Sequence, residues 1–398
     1  MSMNSTPAAN RTHIAFFGHR NAGKSSVVNA VTGQSVAIVS DVKGTTTDPV
    51  SKSMELLPLG PVVIIDTPGI DDEGELGLQR VRRAKRVLNR SDIAVLVVDA
   101  AEGMRASDEE LIALFREKEL PFVIAWNKTD LPEAAPCPPG ALAVSARTGD
   151  GIQALKETIA RLTRGEGEEK RLLGDLIHPG DTVLLITPID KAAPKGRLIL
   201  PQQQAIRDIL DANALAVVAQ QDRVAEALAN LRKPPVLAVT DSQVFREANT
   251  TVPLEIPLTS FSILMARYKG FLEAAVEGVA AIDGLRDGDR VLISEGCTHH
   301  RQCNDIGTVK IPAWLKKYTG KALKLDWTSG AEFPEDVSDY SLVIHCGGCM
   351  LNEREMTFRM KCALDQGVPF TNYGITIARM QGILSRSLEI FPQLRKLV

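Results

Sequence analysis

The segment Gly18-His19-Arg20-Asn21-Ala22-Gly23-Lys24-Ser25 directly follows an apolar run, Ile14 to Phe17, and opens a helical pattern reaching Val31. A glycine-rich loop between a buried strand and a helix is the context a phosphate site requires. Glycines let backbone N–H groups wrap phosphate oxygens, Lys24 brings a point charge to the outer phosphates, and the Ser25 hydroxyl can hold Mg2+. This loop commits the N-terminal part of the chain to an α/β fold, a P-loop doubly wound sheet with its ligand at the strand ends.

Further apolar runs, Val62 to Ile65, Ile93 to Val98, Phe122 to Ala125 and Ala141 to Val144, alternate with helical patterns. Continuous apolar runs read as parallel strands buried on both faces. Asp66-Thr67-Pro68-Gly69 ends one such run and offers a carboxylate to the Mg2+ shell and the Gly69 N–H to the terminal phosphate. Asn127-Lys128-Thr129-Asp130 ends a later run and selects guanine, because its carboxylate accepts the two donors on the guanine edge that adenine lacks. Ser145-Ala146-Arg147 completes the base pocket through a backbone N–H. The predicted nucleotide set is therefore Gly18, Asn21, Ala22, Gly23, Lys24, Ser25, Ser26, Asp66, Gly69, Asn127, Lys128, Asp130, Ser145 and Ala146, serving Mg2+-dependent GTP hydrolysis.

With 398 residues the chain exceeds one compact core, and three domains are expected. The reading places a disordered N-terminus at 1–10, the GTP-binding domain at 11–164 and a linker at 165–175, where apolar residues disappear. A middle α/β domain at 176–256 reads as structural or dimerising. A third α/β domain follows at 257–398. No internal repeat is legible. A formal net charge of -3 gives no general attraction to nucleic acid, and the basic cluster Arg82, Arg83, Lys85 and Arg86 reads as a solvated helix face. The first ten residues resemble no signal peptide, and no apolar run approaches the ~20 residues of a membrane helix. A cytoplasmic protein is expected, in which six cysteines are metal ligands or thiols sooner than disulfides. Cys137, in a proline-rich loop, reads as incidental and Cys362 as core.

The third block carries Cys297-Thr298-His299 and, much later, His345-Cys346-Gly347-Gly348-Cys349. Cys297 and Cys346 each follow a strand-like run, which places them at the carboxyl edge of a sheet. The two glycines remove side chains that would crowd a shared centre. Zinc would close a tetrahedron with Cys297, His299, Cys346 and Cys349. An iron-sulfur cluster would take the three thiolates and leave one iron with an exchangeable ligand. The residue types leave both open, and Cys303 is a further candidate thiolate.

The phosphate-loop Asn21 and the stretch Ile38 to Asp48, with Thr45, Thr46 and Thr47, resemble the TrmE-Era-EngA group of GTPases. That resemblance implies Thr46 as the switch threonine on Mg2+ and K+ held by Asn21. With Ile70 where Ras-like enzymes carry a water-orienting glutamine, it also implies slow hydrolysis that K+ stimulates. Lys24, Asn21, Thr46 and Gly69 are then the catalytic set. The whole chain, from about residue 12 onward, resembles the HydF family of FeFe-hydrogenase maturation GTPases, through both cysteine motifs and the stretch Asp305 to Pro312. The resemblance implies a 4Fe-4S cluster on Cys297, Cys346 and Cys349, with His299 as a candidate ligand. It further implies a homodimer or higher oligomer acting as a scaffold or chaperone, which receives a di-iron precursor carrying CO and cyanide from the radical maturases HydE and HydG and delivers it to the apo-hydrogenase HydA. The competing readings are an RNA- or ribosome-associated TrmE-Era-EngA-type GTPase with a structural zinc, and a redox enzyme.

Overall fold

The computed structural model describes residues 7–34, 50–67, 86–163, 170–189, 198–296, 305–330 and 332–398. Thr46, Gly69, Ile70, Cys297, His299 and Cys303 lie outside them. The chain divides into two compact units, Met1–Glu168 and Glu169–Val398.

The first unit is a six-stranded sheet in the order β2-β3-β1-β4-β5-β6. Its strands are β1 (Thr12–Gly18), β2 (Val50–Leu56), β3 (Gly60–Asp66), β4 (Ile93–Asp99), β5 (Phe122–Asn127) and β6 (Ala141–Ala143). Five run parallel, as the apolar runs require. The edge strand β2 is antiparallel to β3. Its alternating sequence, Val-Ser-Lys-Ser-Met-Glu-Leu, gives no continuous apolar signal, and only pairing with β3 reveals it. Side chains on the two faces form separate cores. Ile14, Phe16, Ile64 and Val95 pack under helices Lys24–Thr32 and Ile152–Thr163 on one face, and Ala15, Phe17, Ile65, Leu96 and Phe115 pack on the other. Ligand-binding loops therefore emerge from a sheet buried on both sides.

The second unit contains two four-stranded parallel sheets. One is built of β7 (Thr182–Ile186), β8 (Leu215–Ala219), β9 (Leu237–Thr240) and β10 (Leu258–Ser260), in the order β10-β9-β7-β8. The other is built of β11 (Arg290–Glu295), β12 (Lys324–Ser329), β13 (Leu342–His345) and β14 (Phe370–Asn372), in the order β12-β11-β13-β14. Each has its first strand inside, its second on one side and its third and fourth on the other. This is an internal structural repeat, and the expectation of none is corrected.

Local chemistry repeats with the topology. Asp181 accepts from His178 N at 2.7 Å before β7, and Asp289 from Arg286 N at 2.8 Å before β11. After the fourth strands, Ser260 and Asn372 cap helices Phe261–Tyr268 and Tyr373–Met380, accepting from Ile263 N at 3.2 Å and Ile375 N at 2.8 Å. Arg267 pairs with Asp175 as Arg379 pairs with Asp283. Thr259, Ala266, Gly270 and Leu272 recur at one constant offset as Thr371, Ala378, Gly382 and Leu384. Few other identities survive, so the repeat is invisible until the strands are paired.

The halves also meet reciprocally. A Cβ built on Gly374 would sit 3.1 Å from Ser242 Oγ, and one on Gly347 3.6 Å from Ser262 Oγ. Ser242 and Gly347 hold equivalent places, as do Ser262 and Gly374, so residue i meets j and j meets i, as across an approximate twofold axis. One core runs through both sheets, including Leu184, Ala238, Val291 and Ile344.

Candidate functional site

In the first unit the phosphate loop leaves β1 at Gly18 and turns through Asn21 and Gly23, with φ of 68° and 82°. Asparagine is among the few residues with a Cβ that visit this left-handed region readily. Gly23 has a second constraint, because a Cβ there would lie 2.3 Å from Asn127 Nδ2. Lys24 is buried, donates to Thr67 O, and has its Nζ 3.4 Å from Asp66 Oδ1. Burial pushes the Lys24 ammonium below its ordinary value, while Asp66 pulls it back up. Ser25 Oγ lies 3.4 Å from Asp66 Oδ2, so the two expected Mg2+ groups converge. Asp66 Oδ1 is buried with the Lys24 ammonium beside it. A hydroxyl and a carboxylate that converge as oxygen ligands fit Mg2+.

The base side is built around Asn127. Its Nδ2 donates to Ala22 O at 2.9 Å and its Oδ1 accepts from Ala146 N at 3.1 Å. One side chain thus ties the phosphate loop to the Ser145-Ala146 turn. Asp130 Oδ1 accepts from Ser145 Oγ at 2.7 Å, and this bond above all holds the Asp130 carboxyl below the usual range. Lys128, at φ 65°, reaches back to Asp99 Oδ2 at 2.6 Å. Asp99 belongs to no motif, and its place at the end of an apolar strand was the only hint of a role. His19 is a second residue without a sequence signal. Its Nε2 lies 2.9 Å from Ser107 Oγ and 3.3 Å from Asp108 Oδ1, which fastens the phosphate loop to helix Ala106–Glu117. Ser26 is exposed at the start of helix Lys24–Thr32.

In the second unit Cys346 directly follows β13. Its Sγ accepts from Gly296 N at 3.1 Å and from Gly348 N at 3.4 Å. Gly296, the residue before Cys297 in the sequence, therefore lies against this sulfur although 50 residues separate the bonded pair. Burial pushes the Cys346 thiol up, and the two N–H bonds draw it down. Gly348 has φ 64°, and a Cβ there would lie 2.5 Å from Met356 Sδ, so glycine is sterically required at Gly348. Cys349 is half-buried and packs against the core that contains Phe261 and Leu264. Among the described residues no group of three His, Cys, Asp or Glu side chains gathers around one point, and Cys297 and His299 lie outside that set. Sulfur donors with backbone N–H bonds suit thiolate ligation of an iron-sulfur cluster.

His345 is withheld from ligation. Its Nε2 accepts from Arg359 Nη1 at 3.1 Å, which leaves the proton on Nδ1, 2.8 Å from Cys346 O. Burial, with Arg359 beside it, lowers its pKa to about 3. Among the described residues no helix is long and apolar enough to cross a membrane.

Comparison with known proteins divides along the same lines. Residues 13–128 match the 50S ribosome-binding GTPase family, residues 172–270 the hydrogen maturase F dimerization domain, and residues 273–390 the hydrogen maturase F tetramerization domain. Curated relatives include the tRNA modification GTPase MnmE of Laribacter hongkongensis, 35% identical over 169 residues, 40% of this chain and 36% of the relative. MnmE of Synechococcus sp. is 39% identical over 159 residues, 37% of this chain and 33% of the relative. The chain spans about a third of the length of these relatives. Similar solved structures include Era of Aquifex aeolicus with GDP and aluminium fluoride, at 22% identity and TM-score 0.33, covering 55% of this chain and 97% of that one. The G domain of the T. maritima iron transporter FeoB has 23% identity and TM-score 0.29, covering 39% and 100%. With a GTPase domain in the first unit and both hydrogen maturase F domains in the second, the chain belongs to the hydrogen maturase F family, HydF.

Proposed function

We propose that this protein is a GTPase and iron-sulfur scaffold that assembles or carries the di-iron precursor of the FeFe-hydrogenase active site, receiving it from HydE and HydG and passing it to apo-HydA. The observation that supports the reading is the bond from Gly296 N to Cys346 Sγ, which brings the residue preceding Cys297 in the sequence to the sulfur of His-Cys-x-x-Cys. Cys297, Cys346 and Cys349 would hold a 4Fe-4S cluster and leave one iron for an exchangeable ligand, the position through which cargo could attach.

In the first unit Lys24 binds the outer phosphates, Ser25 and Asp66, with Thr46, hold Mg2+, and Gly69 N–H meets the terminal phosphate. K+ beside Asn21 would offset charge between the phosphates. Hydrolysis then acts as a slow switch on partner exchange. Leu215 and Val218 of the edge strand β8, with neighbouring Leu210 and Val236, expose apolar side chains within the segment that matches the dimerization domain. Edge strands of that kind invite pairing, which supports a homodimer or larger assembly.

Anaerobic reconstitution tests the cluster. The protein should turn brown and bleach on reduction, and Cys346→Ser or Cys349→Ser should lose most of the iron. Co-expression with the radical maturases should add infrared bands of CO and cyanide. Their absence together with failure to activate hydrogenase would sink the carrier role.

A further inference from the structure

Arg359 heads the large side chains that are wholly buried. It rises from helix Glu353–Leu364 and uses every N–H it has. Nε and Nη2 meet Glu355 Oε1 at 2.9 and 2.8 Å. Nη2 also reaches Gly330 O at 2.7 Å, and Nη1 reaches Ser294 Oγ at 3.4 Å and His345 Nε2 at 3.1 Å. The guanidinium carbon sits 5.3 Å from the centre of the Phe333 ring. Burying a guanidinium costs several kcal/mol unless it is paired and fully bonded, so a site this complete calls for a reason.

The internal repeat supplies a control. In the first half Thr240, the equivalent of His345, donates to Asp241 O at 3.3 Å. In the second half His345 donates to Cys346 O at 2.8 Å. A hydroxyl is therefore enough to hold the strand-end carbonyl, and the fold alone does not call for an imidazole backed by a buried cation. What distinguishes the second half is the cysteine that follows. Arg359 braces both residues that hold the Cys346 backbone, His345 at its carbonyl and Ser294, whose O accepts from Cys346 N at 2.8 Å.

We propose that Arg359, acting through His345, is a positioning residue for the cysteine site, a fixed cation behind Cys346 that orients the strand end and offsets the negative charge of thiolate-bound metal. The proposal rests on the iron-sulfur reading. A cation behind a thiolate-bound cluster favours its more negative, reduced state, so removing it makes reduction harder.

The test uses full-length protein reconstituted anaerobically, with iron content, thermal melting and an EPR-monitored reduction titration. The paired change Arg359→Gln with Glu355→Gln leaves no lone buried charge. It should keep wild-type iron content and shift the midpoint to more negative potential, whereas Arg359→Lys, which keeps the cation, should stay at the wild-type midpoint. An unshifted midpoint in the paired variant overturns the proposal. If that variant fails to fold, Arg359→Met with Glu355→Met decides, since it replaces the buried ion pair by apolar side chains of similar volume and removes the cation. A negative shift at full iron content supports the proposal, and no shift overturns it. Wild-type protein that takes up no iron overturns the iron-sulfur reading itself and this proposal with it.

Discussion

Ser262 and Gly374 hold equivalent places in the two halves of the second unit, and they touch: a Cβ on Gly374 would lie 2.6 Å from Ser262 Cβ. One serine and one glycine therefore share the space at the approximate twofold axis. A matched pair of side chains would not fit.

The first prediction follows from that contact. Gly374→Ala forces the two helices apart and should destabilise the second unit by about 1–3 kcal/mol, the usual cost of overpacking. Urea unfolding followed by circular dichroism measures it. Adding Ser262→Gly should recover much of the loss, and a double variant as unstable as the single would argue against the shared space.

Asn127 clamps two loops through Ala22 O and Ala146 N. Removing both bonds in Asn127→Ala should weaken nucleotide binding by roughly 2 kcal/mol, or about thirtyfold in affinity. Titration with a fluorescent GDP analogue reads this directly.

Lys24→Ala removes the charge proposed to meet the outer phosphates and should slow GTP hydrolysis by roughly a hundredfold or more. Iron uptake should stay at the wild-type level, because the cysteine site belongs to the other compact unit. Phosphate release and iron content measured on one preparation check both halves of the statement.

Hydrolysis should run faster in K+ than in Na+ at equal ionic strength, and Asn21→Ala should abolish that preference, a loss of roughly tenfold. Equal rates of the wild type in the two salts would refute the assignment.

Asp108 is buried beside His19, and burial raises its pKa, with Arg105 N and His19 pulling it down. A carboxyl raised in the fold binds its proton more readily there than in the unfolded chain. Its ionisation therefore removes stability as pH rises through the folded pKa. Asp108→Asn should melt higher than wild type at pH 8 and equal it near pH 3. Thermal melts across that range test the sign.

The first unit was largely legible because its chemistry is local. Gly18 to Ser25, Asp66, Asn127 to Asp130 and Ser145-Ala146 each sit within a few residues of an apolar strand, and the five parallel strands announce themselves as continuous apolar runs. The alternating strand β2 did not, and neither did Asp99 nor His19, whose partners lie 29 and 88 positions away in the chain.

In the second unit the sequence determined which residues could ligate metal, since thiols spaced Cys-Gly-Gly-Cys carry that chemistry wherever they fold. Only the tertiary structure decided what surrounds them. The bond from Gly296 to Cys346, the use of both His345 nitrogens, the buried Arg359 and the doubled four-stranded sheet all arise from contacts between distant segments. Side-chain type limits what chemistry a residue can perform, whereas parallel strand pairing and burial determine which residues meet, and no local pattern encodes that.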